Sequence, residues 1–319
     1  MSIYTSLVDL PASFGPCAVT IGNFDGVHLG HQQILKRVIR LARENGWKAA
    51  ALTFDPHPSK IVAPARAPHL LTTPGERARR MLDVGLDEVL ILPFTPEVAH
   101  LSPEEFVRRI LEEKLQARAV LVGDNFRFGH LAAGDAHMLE AFGHTYGFRT
   151  EVVQAVIWRG RIISSSEIRK AIEDGQLTRA CRMLGRAYAL KGRVVTGAGI
   201  GSKQTVPTLN LETSAEVIPK PGVYITRTHD QTAHREWPSI TNVGYRPTFN
   251  GHGLTIETFL LSPLVGESPG LISVEFLRWV REERKFRNAE ELKGQILRDV
   301  GRAQTYFRRR EHASMKPAR

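Results

Sequence analysis

The chain has 319 residues, which at roughly 150 residues per domain suggests two domains. Hydrophobic residues make up 42% of it and charged residues 24%, a balance typical of folded globular proteins that excludes wholesale disorder. There are 43 lysines and arginines against 33 aspartates and glutamates, which gives a formal net charge of +10. Such an excess favours a nucleic acid or a membrane surface as a partner, unless the positive charge serves another purpose.

The two cysteines, Cys17 and Cys181, lie far apart and form no C-x-x-C motif. A disulfide framework and a cysteine-rich zinc site are therefore excluded. The first ten residues lack the basic and apolar regions of a signal peptide. No stretch approaches about 18 consecutive apolar residues, the length that a membrane-spanning helix needs. We expect a soluble, cytoplasmic protein with no membrane-spanning segment.

Apolar runs predict the strands of the first half of the chain, and helical patterns lie between them. Apolar residues recur on one face at helical spacing over 31–43. A further helix is predicted from Ser102, because Glu105 completes a capping box and Pro103 takes the first turn. Strands that alternate with helices of this length predict a parallel α/β sheet. The predicted strands are 18–22, 49–54, 88–94 and 118–123.

The second half changes character after about Arg186. Glycine, proline, asparagine and serine separate short β-type runs there, a pattern that predicts an antiparallel barrel or sandwich. A final helix is predicted over 289–308. We therefore predict two domains, 1–186 and 187–319. The β-type runs of the second are 188–196, 222–228, 239–243, 254–261 and 272–280.

The string G-N-F-D-G-V-H-L-G-H, residues 22–31, leads from the first predicted strand into the first helix. Free N–H groups and the dipole at a helix N-terminus form an anion site, and glycines let the backbone approach a ligand closely. His28 and His31 lie where ring N–H groups hold phosphate oxygens, at the ligand edge of an open α/β sheet. An isolated H-x-x-H is more often a polar helix start, and zinc binding needs a third ligand. The setting favours nucleotidyl transfer.

A second phosphate-suited motif, I-S-S-S-E-I-R, covers residues 163–169. Ser164 and Glu167 have the spacing of a capping box that opens a helix near residue 165. Arg169 follows early in that helix, where a guanidinium reaches an anion at the same helix end. Taken alone, this pattern is equally that of a well-capped helix with a surface arginine.

In combination, these motifs resemble the α/β nucleotidyltransferase superfamily. F-D-P-H-P (54–58) and G-D-N-F-R-F-G (123–129) narrow the resemblance to the adenylyltransferase module of the prokaryotic bifunctional riboflavin kinase/FMN adenylyltransferases, or FAD synthetases. The resemblance implies a Rossmann-like nucleotidyltransferase domain with ATP and FMN as substrates and FAD as product. The residues it implies are His28, His31 and Arg169 in catalysis, and Gly22, Asn23, Asp25, Asp55, Asn125, Arg127 and Ser164 in ligand binding.

Their implied roles divide between the two substrates. Asn23 and the two histidines hold the ATP phosphates, and Ser164 and Arg169 close the other side of the triphosphate. The FMN pocket is lined by Asp55, Asn125 and Arg127. Asp25 has an equally plausible role as a turn-forming residue.

Residues 192–203 are glycine-rich but fit neither a Walker A motif nor a dinucleotide fingerprint. Beyond them, Thr208 and Asn210 alternate along an extended segment, so both side chains face one way. Their hydroxyl and amide oxygens are suitable ligands for Mg²⁺ shared with nucleotide phosphates. Glu257 lies in a strand-like run and is suited to take a proton from an alcohol. Taken singly, each residue is more often an ordinary turn or surface residue.

The resemblance continues through the riboflavin kinase module. It rests on P-T-L-N (207–210), P-G-V-Y (221–224), T-N-V-G-Y-R-P-T-F (241–249), I-E-T-F (256–259) and R-E-E-R-K-F (281–286). It implies that Thr208 and Asn210 bind Mg²⁺ and ATP, and that Glu257 is the base acting on riboflavin. Arg281, from the loop before the last helix, would contact the flavin or its new phosphate. The implied fold is a C-terminal antiparallel β-barrel with a terminal helix.

The leading hypothesis is a bifunctional enzyme that converts riboflavin to FMN and FMN to FAD, both with ATP. One alternative is a nucleotidyltransferase for another substrate with a flavin- or nucleotide-binding barrel. Another is an RNA-binding protein, for which only 306–310, Y-F-R-R-R, has the expected mixture of aromatic and basic residues. Residues 308–319 alone contribute +4 of the net charge. We expect no specific nucleic acid partner, no membrane, and a monomer or weak oligomer.

Overall fold

The computed structural model describes residues 1–195, 208–248, 251–284 and 286–314. Contacts divide the chain into two compact units, Met1–Ser166 and Glu167–Arg319, and each is described by itself. The division falls inside a helix, upstream of the boundary predicted between residues 186 and 187, and those domain limits stay a prediction.

A six-stranded parallel sheet forms the centre of the first unit. Its strands are β1 (Ser2–Tyr4), β2 (Cys17–Ile21), β3 (Lys48–Asp55), β4 (Glu88–Pro93), β5 (Ala117–Gly123) and, after a hairpin of β6 (Arg127–Phe128) and β7 (Gly134–Asp135), β8 (Arg149–Val153); a second hairpin, β9 (Ile157–Trp158) and β10 (Arg161–Ile162), follows. The strand order in the sheet is β1-β4-β3-β2-β5-β8. The four predicted strands are confirmed as β2 to β5. The order reverses at β2, so loops after β2 and β5 flank the crevice where open α/β sheets bind ligands.

Helices cover both faces of this sheet. They are α1 (Leu29–Asn45), α2 (Pro58–Val62), α3 (Pro74–Val84), α4 (Pro96–Ala99), α5 (Pro103–Phe106), continued by a π-helical turn over Val107–Glu112, and α6 (Ala136–Tyr146). In α1, Leu35, Val38 and Leu41 recur at helical spacing and are fully buried. Gly46 ends α1 at a φ of 68°, a backbone conformation that glycine adopts without strain. The predicted capping box of Ser102 and Glu105 opens α5.

The second unit is built on a closed antiparallel barrel with the order β11-β12-β15-β14-β13-β16. Two helices precede it, α7 (Ser165–Glu173), which begins in the first unit, and α8 (Leu177–Leu184), and α9 (Ala289–Ser314) follows it. The barrel strands are β11 (Tyr188–Val195), β12 (Thr208–Glu212), β13 (Gly222–Asp230), β14 (Glu236–Thr248), β15 (Gly251–Leu260) and β16 (Leu271–Arg281). The predicted barrel is confirmed, and the terminal helix extends six residues past its predicted end.

Helix α9 packs on the outer face of the barrel. Phe307 and Ala303 from the helix form a buried cluster with Val223, Ile225 and Ile240 of β13 and β14. Alternation along β13 directs those valine and isoleucine side chains toward α9 and leaves Tyr224, Thr226 and Thr228 in the barrel interior. Phe307 of the Y-F-R-R-R segment therefore serves the core, and Tyr306 is half-buried against the same cluster.

The barrel interior contains a connected set of hydroxyl groups. The Oγ1 atom of Thr226 lies 2.9 Å from Oγ of Ser239 and 2.8 Å from Oγ1 of Thr241. Two further contacts extend this set of hydroxyl groups: Oγ of Ser239 lies 2.8 Å from Oγ1 of Thr228, and Oγ1 of Thr241 lies 2.9 Å from Oγ1 of Thr258. All five side chains are fully buried, so each polar group removed from water has a partner.

In the part of the chain that the structure describes, no helix is both long enough and apolar enough to cross a bilayer.

Candidate active sites

The loop between β2 and α1 forms the floor of the first candidate site. Gly26 has a φ of 80°, and the non-glycine residues Phe24 and Val27 have φ values of 48° and 42°. A β-branched residue such as Val27 rarely adopts this conformation, so the loop holds local strain, which often occurs at ligand-binding loops. His28 follows as the N-cap of α1.

His28 and His31 stack on each other, with ring centroids 3.6 Å apart and an angle of 18° between the rings. Nδ1 of His28 accepts a hydrogen bond from the backbone N–H of His31 at 3.3 Å. The proton of a neutral His28 is therefore on Nε2. A Cβ at Gly30 would lie 3.1 Å from the His28 ring, so glycine makes room for this arrangement.

His31 is held in its neutral form. Burial, followed by the positive charges of His28 and Arg77, lowers its pKa well below the ordinary value of 6.5. Its Nδ1 is shielded from solvent and has no hydrogen-bond partner among the described residues. A buried polar atom without a partner carries a free-energy cost, and a phosphate oxygen or hydroxyl of a ligand would remove that cost.

Asp25 ties this loop to the segment that leads into α3. Its carboxylate is 2% exposed and accepts hydrogen bonds from the backbone N–H of Leu71 at 2.9 Å and from the N–H and hydroxyl of Thr72 at 3.1 and 3.2 Å. The hydroxyl of Thr72 also accepts from the N–H of Gly26 at 3.1 Å. These contacts are those of a residue that holds two loops together, the turn-forming role weighed above.

Arg77 of α3 is a residue of this site that the sequence arguments missed. Its side chain is 1% exposed, and one guanidinium nitrogen donates to the carbonyl oxygen of Phe54 at 2.7 Å. The spacing of Arg77, Met81 and Val84 along α3 is helical, and this periodicity places position 77 on the buried face. A charged residue on the apolar face of a predicted helix is the signal that would have found it.

The remaining predicted residues of the first unit follow neighbouring strands. Asn23 comes after β2, Asp55 ends β3, and Asn125 and Arg127 follow β5. Their side chains are exposed, while the Asn23 carbonyl accepts from the hydroxyl of Thr53 at 3.2 Å. Since the carboxyl ends of parallel strands meet at one edge of the sheet, these residues share the edge where α1 begins.

The I-S-S-S-E-I-R motif meets the first loop at the same edge. α7 begins at Ser165, where the sequence predicts a helix start, and the Ser165 hydroxyl donates to the Asp25 carbonyl at 2.9 Å. The carbonyl of Ile163 lies 3.6 Å from where a Cβ at Gly30 would be. Ser164 is thus brought beside the start of α1. Arg169 lies further along α7, in the second unit.

The second candidate site is a row of polar side chains across three barrel strands. Strand pairing places Asn210 of β12 opposite Glu257 of β15, and Glu257 opposite Asn242 of β14. Directly paired residues share a face of the sheet. Leu209 is buried whereas its neighbours Thr208 and Asn210 are only half-buried, so alternation sets both polar residues on one face, as predicted, and this is the outer face of the barrel. Asn242, which the motif matches included without a role, joins them.

A cleft of about 260 Å³ lies between this outer face and α9. Glu257, Asn242 and Phe259 line it from the barrel, and Arg281 and Asp299 line it from the end of β16 and from α9. Arg281 was expected in a loop, but it is the last residue of β16. Its Nε donates to the Asp299 carboxylate at 2.8 Å, and the Asp299 carboxylate also accepts from the Gln295 amide at 2.8 Å.

The glycine-rich segment 197–203 and Pro207, both considered in the sequence, lie outside the described residues. Where the structure is described, no group of three or more histidine, cysteine, aspartate or glutamate side chains is arranged to hold a metal ion. The hydroxyl of Thr208 and the amide of Asn210 nevertheless offer the oxygen ligands that Mg²⁺ prefers, on the same face as Glu257.

Comparison with known proteins agrees with this two-site arrangement. The family model for FAD synthetase matches residues 10–167, and the model for riboflavin kinase matches residues 184–307. A bifunctional riboflavin kinase/FMN adenylyltransferase of Escherichia coli K12 is 34% identical over 91% of this chain and 93% of its own length. The protein of the same name from Pseudomonas fluorescens is 35% identical over 95% and 97%. The chain belongs to the bifunctional riboflavin kinase/FMN adenylyltransferase family.

Among solved structures, a protein of Streptococcus pneumoniae described as a macrolide-efflux protein matches with a TM-score of 0.84 at 25% identity. The match covers 95% of this chain and 98% of the other, so the shared fold includes both units. The expected family, fold class and pair of activities are confirmed. The alternative was a nucleotidyltransferase whose barrel only binds a flavin or nucleotide. The match of the barrel to riboflavin kinase gives that alternative no support.

Proposed function

We propose that each activity of the family resides in one of the two sites described above. The chain phosphorylates riboflavin to FMN with ATP and adenylylates FMN to FAD with release of pyrophosphate. The observation that supports the placement most strongly is the register of Asn210, Glu257 and Asn242 beside the cleft under α9. It sets a carboxylate between two amides on the outer face of the barrel, where Glu257 and Asn242 line the cleft.

In the second unit, Glu257 acts as the general base. Its carboxylate removes the proton of the riboflavin 5′-hydroxyl as that oxygen attacks the γ-phosphorus of ATP, and the bond to the β-phosphate oxygen breaks to release ADP. Arg281, held by Asp299, contacts the flavin or the phosphate that it receives. Thr208 and Asn210 would hold Mg²⁺, which when bound offsets negative charge on the phosphates.

In the first unit, positioning and charge neutralisation supply the catalysis, and no covalent intermediate is needed. A phosphate oxygen of FMN attacks the α-phosphorus of ATP, and pyrophosphate leaves. Nε2–H of His28 and the neutral ring of His31 donate to phosphate oxygens at the start of α1, together with Asn23. Ser164 serves the other side of the triphosphate, and Asp55, Asn125 and Arg127 receive FMN, while the role of Arg169 stays a prediction from the sequence.

The positive charge of the chain fits these substrates. Two sites for ATP and one for a flavin phosphate use cationic side chains, and Phe307 is 8% exposed and unable to stack on a nucleic acid base. The absence of a specific nucleic acid partner, a monomeric or weakly oligomeric state and a cytoplasmic location remain predictions. A filter-binding titration with RNA over a range of salt concentrations tests the first, since phosphate binding has a steep salt dependence.

A product time course tests the proposed function. Purified protein with riboflavin, ATP and Mg²⁺ should form FMN first and FAD second, separated by chromatography; no FMN would refute the kinase assignment. E257A should abolish phosphorylation and leave conversion of added FMN to FAD intact, whereas E236A, at an exposed position of β14, should change neither. If E257A removes both activities in a folded protein, the separation of the two sites is wrong.

A further inference from the structure

Arg77 is a fully buried guanidinium that the roles above do not use. It is the largest of the side chains under 2% exposed, and it extends from α3 to the end of β3, where it donates to the Phe54 carbonyl. Phe54 directly precedes Asp55, so the guanidinium lies at the carboxyl edge of the sheet. This is the edge at which α1 begins.

The charge of Arg77 is poorly compensated by the protein. In the described part of the chain its Nε has no hydrogen-bond partner and no carboxylate forms an ion pair with it. Asp25 and Asp55 raise its pKa through their charge, but burial lowers it by more. The carboxylate of Asp25 already accepts bonds from Leu71 and Thr72. A buried cation with one neutral acceptor is costly unless an anion comes close.

A second buried group also favours a ligand at this edge of the sheet. Nδ1 of His31 is shielded from solvent without a partner, and the charge of Arg77 lowers the pKa of His31, so the guanidinium acts on that ring. Both groups lie near the N-terminus of α1, where peptide N–H groups add further positive potential. Three independent features at one edge of the sheet therefore favour negative charge.

We propose that Arg77 is the fixed positive charge of the polyphosphate site in the first unit, oriented by the Phe54 carbonyl and compensated when ATP or pyrophosphate reaches the start of α1. The proposal rests on adenylyl transfer in this unit. Arg77 is a positioning residue here: its charge stabilises the polyphosphate through space, and it adds to burial and to the charge of His28, which lower the pKa of His31 by more. It serves ATP and the leaving pyrophosphate, and it does not select FMN.

Adenylyl transfer measured in both directions tests this role. Wild-type protein is first shown to convert FMN and ATP to FAD, and FAD and pyrophosphate to FMN and ATP. R77M should raise KM for both ATP and pyrophosphate about 10- to 100-fold, the loss expected for a charged interaction, with KM for FMN within twofold. R77K should give smaller increases, since it keeps the charge but not the planar fork. R79M, an exposed arginine on the same helix, is the matched control and should match wild type.

A spectroscopic measurement separates this role from a purely structural one. NMR titration of the His31 ring, identified with H31Q, should show its pKa rising in R77M toward the ordinary value and unchanged in R79M. Unchanged KM values for ATP and pyrophosphate in folded R77M would overturn the proposal. A change confined to KM for FMN would also overturn it, because Arg77 would then act only through Asp55.

The experiment still tests the proposal if R77M does not fold. Kinase activity and thermal unfolding report whether each variant is intact. If R77M fails to fold, R77Q decides, because it keeps a donor for the Phe54 carbonyl and removes the charge: a raised KM for pyrophosphate with an unchanged KM for FMN supports the proposal, and wild-type values for both refute it. Failure of the wild-type reaction itself would refute the proposed function before any variant is made.

Discussion

Replacing Asp25 tests whether this residue holds the fold or binds a ligand. Its buried carboxylate accepts bonds from the N–H groups of Leu71 and Thr72, at 2.9 and 3.1 Å. D25A leaves two buried N–H groups without their acceptor at about 1–3 kcal/mol each, so we expect the first unit to lose about 2–6 kcal/mol of its free energy of unfolding. D25N keeps Oδ1, which accepts the shortest of these bonds, and should lose less than about 1.5 kcal/mol.

Amide hydrogen exchange in rising urea, followed by mass spectrometry, measures this loss in peptides of α3. D83A, at an exposed position of the same helix, is the control and should stay within about 0.5 kcal/mol of wild type. D25N should keep FMN adenylylation within threefold. A loss under about 1 kcal/mol in D25A would refute the structural role, and a stable D25N without adenylylation would show that Asp25 acts on the ligand.

Three further predictions concern other parts of the molecule. E257Q should lower kcat for riboflavin phosphorylation by about 10²- to 10⁴-fold, as expected for loss of a general base, and an unchanged rate in an FMN assay would contradict that role. The pKa of His31 in the folded protein lies below its ordinary value of 6.5, so at low pH the unfolded chain binds more protons than the folded one. The free energy of unfolding of the first unit should therefore fall from pH 7 to pH 5, and it should fall less steeply in H31Q. Burial raises the pKa of the Cys17 thiol to about 12, so a thiol reagent at pH 7.5 should label Cys17 only after unfolding; rapid labelling of native protein would show that this thiol is accessible.

Local patterns in the sequence predicted most of the fold. The parallel sheet followed from apolar runs that alternate with helical spacing, because strands buried on both faces leave such runs. The barrel followed from short strands between turn residues. The helix α9 ends six residues beyond its predicted end, because the three arginines at 308–310 continue it. Arginine is in fact a good helix former, and Phe307 anchors the preceding turn.

Site residues that depend on long-range contacts were harder to predict. His28 and His31 are three residues apart and lie beside a predicted helix start, so their proximity followed from helix geometry. Asn242 gained its place beside Glu257 only from strand pairing, which a single sequence does not specify. Arg77 lies 23 residues from the carbonyl that it binds; helical spacing marks it as a charged residue on a buried face, but the carbonyl that it binds follows only from the fold.

The connected hydroxyl groups inside the barrel affect how β13, β14 and β15 align with one another. Thr226, Ser239 and Thr241 bond one another while their hydroxyls face the barrel interior, and a shift of one residue in the pairing of β13 with β14 would turn the hydroxyls of β14 outward. Glu257 immediately precedes Thr258, which ends this set of hydroxyl groups on β15. The bond between Thr241 and Thr258, which holds β15 against β14, therefore also places the proposed catalytic base opposite Asn242, and T241V, which removes bonds to Thr226 and Thr258, should loosen that placement before it unfolds the barrel.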